Sequence, residues 1–135
     1  LIASTSGRNP VVVDMALRAR EKGIRRVGIT SRAYSAGVAS RHPSGMKLAD
    51  LCDVVLDNGA PEGDACVDVP GVPQKVGPLS TVTGCALANA LVVEIAARLA
   101  AAGEEPPVYR SANLDDGEAT NARLLAKHRS RIHYL

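Results

Sequence analysis

Leu1-Ile2-Ala3-Ser4-Thr5-Ser6-Gly7-Arg8-Asn9-Pro10 opens the chain, and the reading of this stretch decides the fold. Residues 1–3 read as the end of a strand, the hydroxyl-rich run as a loop, and Asn9-Pro10 as a helix start. Asn is a preferred N-cap, and proline fits the first helical turn, where its missing N–H costs nothing. Val12, Met15, Ala16 and Ala19 then recur at helical spacing, and Gly23 supplies a stop. Val27–Thr30 follows as a compact strand of the buried type.

Working outward, residues 31–45 are polar and carry no clear period. A short helix over 46–52 leads into a strand over 53–57, and Asn58-Gly59-Ala60-Pro61-Glu62-Gly63-Asp64 is a turn-rich loop. A second short strand, 66–69, belongs at a sheet edge because Pro70 ends it. Residues 70–79 are a loop, and 80–102 form the longest helix, ended by Gly103. Asp115 with Glu118 makes a capping box that opens a helix over 118–128. Short strands alternating with helices predict an α/β fold with a mostly parallel sheet covered on both faces.

The long helix has few polar positions: Thr83, Asn89, and Glu94 with Arg98 as an i,i+4 pair. A helix apolar around most of its circumference needs cover on more than one side, from a preceding segment or a second subunit. The chain also opens in mid-strand at Leu1 rather than at a methionine. It therefore reads as the carboxyl-side portion of a larger domain lacking its N-terminal part.

Composition narrows the function. With 46% hydrophobic and 22% charged residues, the 135-residue chain reads as one globular domain. There is no Phe or Trp, and tyrosine occurs only at 34, 109 and 134, so a base-stacking nucleic-acid surface is hard to build. A net charge of +2 gives no basic stripe for duplex binding. Cys52, Cys66 and Cys85 form neither a disulfide framework nor a metal or redox pair, which favours a reducing, cytoplasmic setting. The longest apolar run, interrupted by Asn89 and Glu94, is read as falling short of the ~18–20 residues of a membrane span. No residue spacing points to a metal, and no cofactor is expected.

In an open parallel sheet, ligands sit outside the carboxyl ends of the strands. Three hydroxyl-rich segments fall at that edge: Ser4-Thr5-Ser6-Gly7, Thr30-Ser31, and Ser80-Thr81 at the start of the long helix. Such loops offer amides, hydroxyls and a helix dipole to one anion, with Gly7 allowing close approach and Arg8 a counter-charge. The plain alternative for each segment is a helix cap. No G-x-G-x-x-G supports a dinucleotide, no G-x-x-x-x-G-K-[ST] a triphosphate, and the first strand end lacks the acids of a phospho-aspartate receiver. A small phosphorylated molecule held by hydroxyls remains.

Ile2-Ala3-Ser4-Thr5-Ser6-Gly7, Val27-Gly28-Ile29-Thr30-Ser31 and Val76-Gly77-Pro78-Leu79-Ser80-Thr81 together resemble the SIS (sugar isomerase) domain. Ser4, Thr5, Ser6 and Gly7 match its phosphate loop, where Asn9 replaces the final threonine. Ser80-Thr81 matches its Ser-Thr helix start, and Leu48-Ala49-Asp50 before Asp53-Val54-Val55-Leu56 resembles its pre-strand segment. The resemblance spans residues 1–103, and residues 104–135 resemble the tail of a bacterial SIS subgroup, an extension expected to pack on the same domain. It implies a Rossmann-like three-layer α/β/α sandwich and phosphosugar binding. Homodimers or tetramers with sites near subunit interfaces are also implied.

Isomerisation of a sugar phosphate needs a base that moves a proton between adjacent carbons. SIS isomerases such as phosphoheptose isomerase carry a glutamate about two turns into the helix after Ser-Thr; here that neighbourhood is Cys85-Ala86-Leu87. Glu94 lies fourteen residues along, roughly 21 Å away at ~1.5 Å rise per residue. Glu62, in a post-strand loop, and His42, in Ser40-Arg41-His42-Pro43-Ser44-Gly45, are the candidate proton movers, with a turn acid and a solvated imidazole as their plain alternatives. Lys75 is a candidate phosphate support or an ordinary surface lysine. His128 and His133 lie in a basic tail, and Asn113 with Asp115-Asp116 reads as a cap and turn. Two functions follow: a phosphosugar isomerase or related lyase, or a sugar-phosphate sensor without catalysis.

Overall fold

The computed structural model describes residues 1–132 of the chain; His133 of the basic tail lies outside them. The element order is β1 (Ile2–Ala3), α1 (Pro10–Glu21), β2 (Val27–Thr30), α2 (Arg32–Gly37), α3 (Leu48–Leu51), β3 (Val54–Asp57), β4 (Ala65–Val67), β5 (Val76–Pro78), α4 (Ser80–Ala101) and α5 (Gly117–His128), closed by a 3-10 turn, Arg129–Arg131. The chain divides into two compact units, Leu1–Asn89 and Ala90–Leu135.

In the first unit β1, β2 and β3 form a parallel sheet in that order, with Ile2 opposite Gly28 and Val27 opposite Val54. This is the mixed α/β architecture expected. Residues 66–69 do not join it as an edge strand. Ala65–Val67 instead pairs antiparallel with β5, which forms inside the stretch expected to be loop.

Local chemistry explains the elements. Pro10 starts α1 after extended Asn9, whose side chain makes no capping bond. Gly23, at φ +67, ends the helix: its N–H reaches the Arg20 carbonyl and the Ile24 N–H reaches that of Ala19, the doubled bond of a Schellman stop. The Ser31 hydroxyl accepts the Tyr34 N–H at 3.0 Å and caps α2, a helix whose single turn and a half is too short to show a period. The Lys47 ammonium donates to the carbonyls of Ser35 and Val38, closing the far end of that helix.

Val13, Ala16, Leu48 and Leu51 are buried together, with Ile2, Val12, Leu17, Met46 and Cys52 packed on them. The α1 stripe is thus centred on Val13, and Met15 faces outward at 54% exposure. Because side chains alternate across a strand, Ile2 and Gly28 face this core while Ala3 and Ile29 face the other side of the sheet. Gly28 is needed there: a Cβ on it would stand 2.7 Å from Cys52 Sγ.

No residue of α4 is buried, and Val82, Val92 and Val93 are each more than half exposed. Asn89 returns its amide to the Cys85 carbonyl at 2.9 Å, and Glu94 pairs with Arg98 at 2.7 Å. By length and composition alone the 22-residue helix is apolar enough to cross a bilayer, as the core helices of many soluble proteins also are. A bilayer and an apolar protein surface both satisfy such a helix.

In the second unit, Glu105 accepts from Arg123 at 3.0 Å and Lys127 at 3.1 Å. The capping box expected of Asp115 and Glu118 does not form. Asp116 stands at the N-cap without a capping bond, and its carboxylate pairs with Arg110.

Candidate functional site

The sheet edge is stitched by backbone. Ser4 N–H donates to the Ile29 carbonyl, Ser31 N–H to that of Thr5, and Asn58 N–H to that of Thr30, at 2.9 to 3.1 Å. The Thr30 hydroxyl adds a bond to the Thr5 carbonyl at 2.9 Å, and that of Ser31 reaches the Ala60 carbonyl at 2.6 Å. Both side chains are fully buried. Thr30 and Ser31 therefore hold the post-strand loops to one another, and neither lines the cleft described next.

A cleft of about 360 Å³ opens against this edge, within the ~300–1,000 Å³ range of small-molecule pockets. Leu1, Ala3, Ser4, Thr5, Ile29 and Asn58 line it from the sheet, and Ser80, Thr81, Gly84, Cys85 and Ala88 from the start of α4. Two of the three hydroxyl segments, Ser4-Thr5 and Ser80-Thr81, thus meet across one cavity. They lie some 75 residues apart in sequence, and the sheet edge brings them together.

The remaining predicted residues fall elsewhere. Gly7 is buried at φ +64 with its carbonyl accepting the Leu48 N–H at 2.9 Å, so its missing side chain serves the approach of α3. A Cβ there would stand 3.1 Å from Leu48 Cβ. Ser6 is half-buried and Asn9 exposed, and neither lines the cleft. Arg8 gives its carbonyl to the Arg41 N–H at 3.0 Å.

His42 is held away from the cleft by its own turn and by α1. Its Nδ1 lies 2.7 Å from the Ser44 hydroxyl and accepts the Ser44 N–H at 3.1 Å. Its Nε2 lies 3.1 Å from Asp14 Oδ1. An Nδ1 that accepts a backbone N–H leaves the ring proton on Nε2, facing the carboxylate. Glu62 is exposed beside Gly37 at the end of α2. Lys75 lies 3.6 Å from Asp68 across the β4–β5 hairpin. Among the described residues, no three His, Cys, Asp or Glu side chains come together as a metal site would need.

Three residues of this region carried no functional reading in the sequence. Asn58, only 6% exposed, directs its amide toward the Thr5 hydroxyl at 3.5 Å; its place directly after a strand was the available signal. Cys85 offers a thiol to the cleft. Asp64 accepts the Ser80 N–H and the Ser80 hydroxyl, each at 2.7 Å. No local pattern could show that bond, because the pair lies 16 residues apart.

A model of the SIS domain matches residues 1–31, the stretch from β1 through the hydroxyl loop to the Ser31 cap. Residues 1–31 carry SIS-domain sequence. The chain is 45% identical over 134 residues to a UPF0309 protein of Shouchella clausii, covering 99% of this chain and 54% of that protein. A UPF0309 protein of Streptomyces coelicolor is 46% identical over 99% of this chain and 53% of its own length. For one from Listeria monocytogenes the identity is 42%, over 100% and 55%. The chain spans about half the length of the curated relatives it matches. The SIS match covers the Ser4-Thr5 wall of the cleft, and the relatives extend to the Ser80-Thr81 wall and beyond it.

Proposed function

We propose that the cleft binds a phosphorylated sugar or amino sugar, with the phosphate against Ser4, Thr5, Ser80 and Thr81 and the sugar toward Asn58. The observation that carries this reading is the meeting of the two hydroxyl segments on one cavity at the carboxyl edge of a parallel sheet. Hydroxyls and a helix N-terminus are a natural phosphate environment, and the SIS match supports the same ligand class. Calorimetric titration with a panel of aldose and ketose phosphates tests it. Ser4→Ala and Thr81→Ala weaken binding about tenfold each, given ~1.5 kcal/mol for a hydrogen bond to a charged group. Unchanged affinity in both variants removes the assignment.

The enzyme form of the reading is a phosphosugar isomerase or related lyase, with Glu62 or His42 moving the proton. The placement of both side chains away from the cleft favours the second form, a sugar-phosphate sensor. Turnover of the sugar-phosphate panel separates them: an isomerised product lost on Glu62→Ala establishes the enzyme, and binding without turnover establishes the sensor. A cytoplasmic setting with the three thiols reduced, and assembly into homodimers or tetramers, belong to the same proposal.

A further inference from the structure

The first turn of α4 already holds an anion of the protein's own. Asp64 receives the Ser80 amide on one carboxylate oxygen and the Ser80 hydroxyl on the other. Its backbone carbonyl accepts the Leu79 N–H at 3.1 Å, and its own N–H donates to the Pro61 carbonyl at 2.9 Å. Among the described residues it is the non-glycine residue with positive φ, at +70. That conformation is strained for a residue with a side chain, though Asp tolerates it better than most. The strain is kept where it delivers a carboxylate to the helix end that lines the cleft. A carboxylate seated there uses the same donors and the same dipole that a phosphate would use.

We infer that Asp64 is a specificity-determining residue of the cleft, an internal competitor that keeps free phosphate off Ser80. The inference rests on the phosphosugar reading above. An entering phosphate either displaces the Asp64 side chain or settles on Ser4, Thr5 and Thr81 beside its charge. Inorganic phosphate has no further contacts to offset that repulsion. A phosphorylated sugar adds contacts from its hydroxyls to groups such as Asn58, so the cleft prefers the ester to the free ion.

Asp64→Asn tests this, because Asn caps helices as well as Asp and tolerates the left-handed backbone, yet carries no charge. Inorganic phosphate titrated by calorimetry binds the D64N variant at least tenfold more tightly than the parent. Phosphate affinity that is equal, lower or undetectable in both proteins overturns the inference. Thr81→Ala placed on the D64N background removes the gained affinity; if the gain survives, the phosphate lies elsewhere and the inference also falls. The underlying reading is judged separately. If D64N gains nothing while Ser4→Ala still weakens sugar-phosphate binding, Asp64 is no competitor and the site stands. If neither changes anything, both fall.

Discussion

The Leu48 N–H donates to the Gly7 carbonyl at 2.9 Å, so a fully buried core residue of α3 also fixes the end of the hydroxyl loop. Core packing and the shape of the cleft wall are thereby coupled through one backbone bond.

Gly7→Ala strains this contact twice, through the left-handed backbone and through a Cβ placed 3.1 Å from Leu48 Cβ. A cost of about 2–4 kcal/mol is expected from the two effects together. Gly59→Ala is the control, since its φ of +66 is similar but its surroundings are open. That change costs only about 1–2 kcal/mol. Urea unfolding of both variants measures the difference, and equal costs would dismiss the steric component.

Ser31→Ala separates a structural hydroxyl from a ligand hydroxyl. The change removes both the α2 cap and the bond to the Ala60 carbonyl, in a fully buried setting. Stability drops by about 1–3 kcal/mol while affinity for sugar phosphate stays within twofold. Ser4→Ala shows the reverse pattern. Affinity lost with Ser31 at unchanged stability would return Ser31 to the ligand.

Much of the parallel sheet and of α1 was legible because their signals are local: Pro10 at a helix start, Gly23 at a stop, and short strands rich in Val, Ile and Leu. The β4–β5 hairpin was legible only in its first strand, because the three-residue β5 lies in a Pro-Gly-rich stretch that looks like loop until it pairs. Within the site, residue type told where hydroxyls cluster but not what they do. Serine and threonine suit caps, cross-loop bonds and anions equally, so Thr30 and Ser31 were indistinguishable from Ser4 and Thr81 until their partners were seen. His42 and Glu62 were placed by loop membership alone, which fixes neither direction nor reach.

The cysteines report on the cleft directly. Burial pushes the Cys52 thiol up, against the opposing pull of Arg26, so its thiolate is scarce. With iodoacetamide near pH 8, the exposed Cys66 and Cys85 are alkylated before Cys52. Bound sugar phosphate slows Cys85, which lines the cleft, and leaves Cys66 unaffected. Peptide mapping by mass spectrometry reads all three, and equal protection of Cys66 would point to a general tightening instead.

The second unit has its own acid dependence. Hydrogen bonds from Arg123 and Lys127 hold the Glu105 carboxyl down to about 2, from an ordinary 4.5. The folded value is the lower one, so the stabilisation is complete above about pH 4.5 and fades as the pH falls toward 2. Glu105→Gln therefore destabilises α5 at pH 7, and the gap from the parent closes near pH 2. Amide exchange at Leu124, buried on that helix, follows the change. A gap that persists at pH 2 would assign the effect to packing rather than charge.

The stitched edge also sets the thermodynamics of any ligand that enters. Ser4, Ser31 and Asn58 each give their first post-strand amide to a neighbouring strand or loop, so the cleft floor is rigid before anything binds. A ligand then forfeits its own motional freedom but little of the protein's, and the Asp64 side chain yields only where the ligand takes Ser80. Binding on such a floor is expected to be fast, with a small heat-capacity change and a modest entropy cost.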